Sequence, residues 1–69
     1  MNREKRKESY TKLDKLLKAK GITAYRLSDE LKLPRSLFSD WKSGKSMPKT
    51  DKLLKIADYF GVAISYFVE

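Results

Sequence analysis

The stretch LKLPRSLFSDWKSGK, residues 31 to 45, decides how the chain is read. Pro34 cannot sit inside a helix that precedes it. It does suit the first turn of a new one, where its missing N–H is not needed and its fixed φ is already helical. Behind it Leu37, Phe38 and Trp41 alternate with Ser36, Ser39, Asp40 and Lys42, which gives a short amphipathic helix from about Pro34 to Lys42. Gly44 ends that helix. The result is a polar helix face, packed down by a tryptophan and followed by a lysine-rich loop.

Upstream, Thr23 is placed to cap a helix that shows Ala24, Leu27 and Leu31 on one face and ends near Lys32. Ile22 and Leu27 fall at the two positions of a hydrophobic staple. Earlier still, Tyr10, Leu13, Leu16 and Leu17 recur at helical spacing until Gly21. The lead-in MNREKRKE, residues 1–8, has no apolar periodicity and is expected to be frayed or an exposed first turn. Downstream, KSGKSMPK (residues 42–49) reads as a loop. Thr50 is expected to cap a fourth helix, with Asp51 in its first turn and a buried stripe of Leu53, Ile56, Ala57 and Phe60 before Gly61. VAISYFVE (residues 62–69) is expected to be one helical turn sealing the core with Val62 and Phe67, a strand being the alternative. The fold class expected is all-α, a compact bundle of about five short helices in a single domain over residues 1–69.

Composition limits what such a bundle can do. Sixty-nine residues, with no cysteine and no histidine, leave neither a disulfide staple nor the usual zinc ligands, so stability must come from packing and caps. No metal and no cofactor is expected. Without histidine or cysteine, a carboxylate cluster or a glycine-rich phosphate loop, the chain does not read as an enzyme, and no small-molecule substrate is expected. No apolar run approaches the roughly 20 residues of a membrane span, and no signal peptide opens the chain. The location read from this is cytoplasmic, with no membrane partner.

The net charge of +7 favours a polyanion. Its placement sharpens that inference. Residues 32–55 carry seven bases (Lys32, Arg35, Lys42, Lys45, Lys49, Lys52, Lys55) against Asp40 and Asp51. A tight turn joining two helices, the second short and amphipathic, is a helix-turn-helix, here over about residues 23–43. The second helix fits the major groove, roughly 12 Å wide, while the first lies across the phosphates. Leu27, Leu31, Leu33, Phe38 and Trp41 can lock the two helices together. Arg35, Ser36, Ser39 and Asp40 then stay outside, with Leu37 at the edge.

The longer run GITAYRLSDELKLPRSLFSDWKSGKSMPKTDKLLKIADYFGVAISYF, Gly21 to Phe67, resembles the lambda-repressor/Cro-type helix-turn-helix family, often called the XRE family. The resemblance implies a lambda-repressor-like bundle that binds double-stranded DNA. It also implies phosphate contacts at the start of the first motif helix, where this chain offers Thr23, Tyr25 and Arg26. Arg35 and Ser36 match base-reading positions, and Ser39 and Asp40 face the groove one turn later. Lys42, Ser43, Lys45, Ser46 and Lys49 lie in the loop that follows the DNA backbone in the family. Two positions depart from the pattern. Ser28 stands where alanine is common, and Lys32 stands where glycine often makes the turn. Lysine there requires a backbone that avoids the left-handed region or accepts some strain.

The chemistry of each contact can be stated separately. Arg35 can pair bidentately with guanine O6 and N7, worth roughly 1–3 kcal/mol against a wrong base, or clamp a phosphate. Ser36 and Ser39 can bond a base or a phosphate, or serve as local caps. Asp40 can accept from cytosine N4 or, the reading favoured here, orient Arg35 or Lys42. Leu37 can meet a thymine methyl or finish the core. Trp41 is read as core.

The function expected is a sequence-specific transcriptional regulator, a repressor of phage or mobile-element type. The alternative is a DNA-binding antitoxin or a protein-interaction adaptor built on the same fold. Ala63–Glu69 is the candidate surface for a homodimer, since Tyr66 and Val68 are more apolar than one short turn hides; otherwise these residues complete the core. The larger repressors of the family continue beyond this point, so the chain reads either as a Cro-like protein or as the DNA-binding piece of a longer one.

Overall fold

The structure, a computed structural model, describes residues 2–68. It has five helices: α1 (Arg3–Lys20), α2 (Ala24–Leu31), α3 (Arg35–Ser43), α4 (Thr50–Phe60) and α5 (Ser65–Val68). No strand occurs among the described residues, so the last segment takes the helical form and not the strand alternative.

The lead-in takes the second of its two expected forms, an exposed first turn, and opens an 18-residue helix. Asn2 caps it, its Oδ1 accepting the Lys5 N–H at 2.9 Å. Tertiary docking holds the rest of the turn. The Arg6 Nε–H donates to the Gly44 carbonyl at 2.7 Å, and the buried Ser9 hydroxyl donates to the Phe67 carbonyl at 2.6 Å. Apolar periodicity could not announce this, because the anchoring groups are polar.

Two cap assignments also move by one residue. Pro34 is the N-cap of α3 and stays extended (ψ 141°), so the helix proper runs from Arg35. Lys49 occupies the N-cap of α4, and Thr50 is its first helical residue. Thr23 caps α2 as expected, its Oγ1 accepting the Arg26 N–H at 3.1 Å.

Each of α1 to α4 ends the same way. A residue in the left-handed conformation follows the helix, and two backbone N–H groups turn back onto the last carbonyls, the pattern of a Schellman cap. After α2, Lys32 N–H reaches Asp29 O at 3.3 Å and Leu33 N–H reaches Ser28 O at 2.9 Å. Three of the four left-handed residues are glycines; the fourth is Lys32, at φ 57°. The strain foreseen for lysine in the turn is therefore accepted.

The core gathers Leu13 and Leu17 from α1, Leu27 from α2, Leu33 from the turn, and Phe38 and Trp41 from α3. Leu53, Ile56 and Ala57 of α4 and Phe67 of α5 complete it. Trp41 is fully buried, edge-on to Tyr10 at 5.6 Å and to Phe67 at 5.7 Å between ring centres. One indole thus ties α3 to both α1 and α5. Leu31, expected in the lock between the motif helices, is only half-buried and packs at the core's edge.

Candidate nucleic-acid interface

The α2–turn–α3 unit is built from a few small requirements. Ser28 is buried and its hydroxyl donates to the Tyr25 carbonyl at 2.6 Å, so a small side chain with an internal partner sits where α3 approaches α2. Leu33, Phe38 and Trp41 fix the inner side of the turn and of α3. The outer side of α3 is polar, with Arg35, Ser36 and Ser39 exposed and Leu37 half-buried against the core. The loop after α3 exposes Lys45, Ser46 and Lys49, continuing from exposed Lys42 and Ser43 at the helix end.

The side chains differ in what they have left to offer. The Arg35 guanidinium sits over Tyr25, its Cζ 3.6 Å from the ring centre, and its Nη2 is 3.6 Å from the Asp29 carboxylate. The carboxylate paired with Arg35 is therefore Asp29, on α2. No ion pair or side-chain hydrogen bond joins Asp40 to Arg35 or Lys42 among the described residues, which corrects the orienting role assigned to Asp40. The main-chain oxygen of Asp40 is the busy one, accepting the N–H groups of Lys45 at 2.9 Å and Ser46 at 3.3 Å and so setting the start of the basic loop. Ser39 donates its hydroxyl to the Ser36 carbonyl and Ser43 donates to that of Asp40. Both keep lone pairs to accept with, whereas Thr23, which accepts as a cap, keeps its hydroxyl proton to donate. Arg26 is occupied by Glu30 at 3.3 Å, and Glu30 also accepts from the Tyr59 hydroxyl at 3.2 Å, which links α2 to α4. Partial burial first, and then this bond to Glu30, hold the Tyr59 phenol above its ordinary pKa.

Beside α3 an open apolar groove of about 220 Å³ is floored by Phe38, Ala24 and Tyr10 and rimmed by Tyr25, Arg35, Ser39 and Lys42. Its rim consists of residues already singled out for DNA contact. The sequence reading missed two features of this surface. One is Asp29, whose contact with Arg35 arises from the packing of α2 on α3 and has no signal in local spacing. The other is the first turn of α1, which sits against Gly44 through Arg3 and Lys7 and adds basic residues beside the end of α3.

The described residues hold no helix long and apolar enough to cross a membrane, and no group of acidic residues placed to hold a metal ion. A helix-turn-helix family matches residues 13–67 of the chain. The HTH-type transcriptional activator BcrR of Enterococcus faecalis is 36% identical over 53 residues, which is 77% of this chain and 26% of that protein. The chain thus spans about a quarter of the length of this curated relative. No solved structure matches the chain significantly. With five helices, a capped turn between α2 and α3 and a family match that covers both, the chain belongs to the Cro/C1-type helix-turn-helix family of DNA-binding domains and is not an enzyme.

Proposed function

We propose that this domain is the operator-reading part of a transcriptional regulator, binding double-stranded DNA sequence-specifically with α3 in the major groove. The observation that carries this reading is the division of α3. Phe38 and Trp41 are buried on one side, while Arg35, Ser36 and Ser39 stand exposed on the other with hydrogen-bonding capacity unspent. Arg35 and Ser36 act first, at the helix start, where this class of motif meets base edges. Ser39 and Asp40 follow one turn on, with Leu37 at the edge of the face. Thr23 and Tyr25 meet phosphates at the start of α2, and Lys42, Ser43, Lys45, Ser46 and Lys49 follow the backbone. Arg26 joins them through its Nη donors while its Nε–H holds Glu30.

One such domain reads few base pairs, so operator binding is proposed to use a homodimer on two half-sites about one helical turn apart. The C-terminal segment is the candidate contact: Val68 is exposed, and Ile64 and Tyr66 are half-buried. Glu69 lies outside the described residues. The relative is named an activator, and the sign of control depends on where an operator lies relative to the promoter. Repression, in the cytoplasm of a cell or against a mobile element's own promoter, is proposed for an operator that overlaps the promoter.

The test is selection from a random double-stranded DNA library at near-physiological salt. The proposal expects enrichment of an inverted repeat with half-site centres about 10 base pairs apart. Retention without enrichment would reduce the domain to an electrostatic binder. No retention would favour the antitoxin or adaptor reading, in which the fold meets a protein.

A further inference from the structure

Tyr25 and Asp29 stand one turn apart on α2, and Arg35, the first residue of α3, is held between them. The cation–π contact holds the guanidinium over the ring, its Cζ 3.6 Å from the ring centre, since a cation over a tyrosine face is attracted by the ring. The Asp29 contact fixes its direction. At 3.6 Å it is an ion pair without a hydrogen bond, and the Arg35 side chain makes no hydrogen bond among the described residues. All five N–H donors therefore remain unspent while the long side chain has already lost much of its freedom. A group kept from acting would show the opposite, with its donors satisfied by the carboxylate.

We propose that Tyr25 and Asp29 are positioning residues that preset Arg35 for a bidentate contact with a guanine, so that base discrimination at one operator position depends on two α2 residues that need not touch that base. The proposal rests on the assignment of Arg35 as a base reader. It gives the negatively charged Asp29 a use on a face that otherwise favours basic residues. Arg35 meets the base with less ordering left to complete, and misplacement by a fraction of its length weakens discrimination.

The experiment uses duplexes enriched from the random library, each half-site base pair replaced in turn, and a scrambled duplex. Wild type, Arg35→Ala, Tyr25→Leu, Tyr25→Phe and Asp29→Asn are compared by dissociation constant at one salt concentration. Arg35→Ala identifies the base pair read by Arg35. At that pair, Tyr25→Leu and Asp29→Asn should each reduce discrimination about 3- to 5-fold, whereas Tyr25→Phe, which keeps the ring, should retain it. Asp29→Asn should at the same time bind the scrambled duplex as tightly as wild type or more tightly, because a negative charge near phosphates is gone. If Asp29→Asn tightens both duplexes equally, Asp29 acts only through its charge and the proposal fails. If discrimination rises, Arg35 is restrained by Asp29 and the proposal is reversed. If Arg35→Ala changes discrimination while the α2 variants do not, positioning fails and base reading stands. If Arg35→Ala is silent at every position, the base-reading assignment falls and positioning with it.

Discussion

The guanidinium Nε–H of Arg6 donates to the main-chain oxygen of Gly44 at 2.7 Å, so the first turn of α1 closes the C-terminal end of α3 across 38 residues of sequence. The helix proposed to face DNA is thereby held at its far end by the charged lead-in, which has no apolar periodicity of its own. Gly44 is buried at this junction with φ +79°. A Cβ there would lie 2.8 Å from the Arg3 carbonyl oxygen and 2.6 Å from its Cγ.

Gly44→Ala should therefore be costly for two separate reasons. A left-handed conformation costs an L-residue about 1–2 kcal/mol, and the clash with backbone at Arg3 adds an overpacking penalty of similar size. The sum, about 2–4 kcal/mol, is a large share of the stability expected of so small a domain. Gly21→Ala is the control, since φ is +71° there but nothing lies within 4 Å of the added methyl. Urea denaturation of the two variants should show the larger loss for Gly44→Ala. Equal losses would mean that α1 does not dock tightly on α3.

Lys32→Gly should have the opposite sign. Lysine at φ 57° bears the left-handed strain with no side-chain bond among the described residues in compensation, while glycine bears none. The net gain is about 1 kcal/mol or less, seen as a rise in Tm of roughly 4–8 °C per kcal/mol for a domain of this size. A fall in Tm would contradict the strained turn.

Trp41 is the chain's one tryptophan and is fully buried between Tyr10 and Phe67. Its fluorescence should shift to the red on unfolding. Adding duplex DNA to the folded domain should leave the emission maximum in place, because a core indole has no base to stack on. Trp41→Ala should cost about 3–5 kcal/mol and leave little folded protein. A DNA-induced shift of the kind that stacking produces would overturn the core assignment.

Alkaline pH should weaken the fold partly through Tyr10. Burial first, and the neighbouring Asp14 charge second, raise its phenol above the ordinary value of 10.0. A raised folded-state pKa gives a stabilising contribution that is complete below about pH 10 and is lost as pH rises through the folded value. Urea midpoints measured above pH 10 should fall less steeply for Tyr10→Phe than for wild type. Parallel slopes would remove Tyr10 from the account.

The residues that made α3 legible were those with few alternatives. Pro34 and Gly44 bracket it, and Phe38 and Trp41 can only turn inward. The same holds for Thr23, whose side chain caps α2. What escaped was tertiary and polar. The first turn of α1 is capped locally by Asn2, three residues from its partner Lys5, but is docked by Arg6 and Ser9, whose partners lie 38 and 58 residues away, and no local period encodes such distances. Asp29 was overlooked for Asp40 because only the crossing of α2 over α3 shows which carboxylate meets Arg35. Lys32 was flagged by the sequence as a misfit in the turn, and the structure resolves it in favour of strain.

The central claim, that α3 reads bases through Arg35 while the following loop grips phosphates, is tested most directly by one titration series. Wild type, Arg35→Ala and Lys45→Ala are each titrated with the enriched duplex and with a scrambled one over a range of salt. Arg35→Ala should lose about 10-fold or more of the preference for the enriched duplex, in line with a guanine contact. Lys45→Ala should weaken both duplexes alike and reduce the slope of log K against log salt by about 0.9, the share of one phosphate. If the two variants change preference and salt slope in the same way, the division into reader and clamp is wrong.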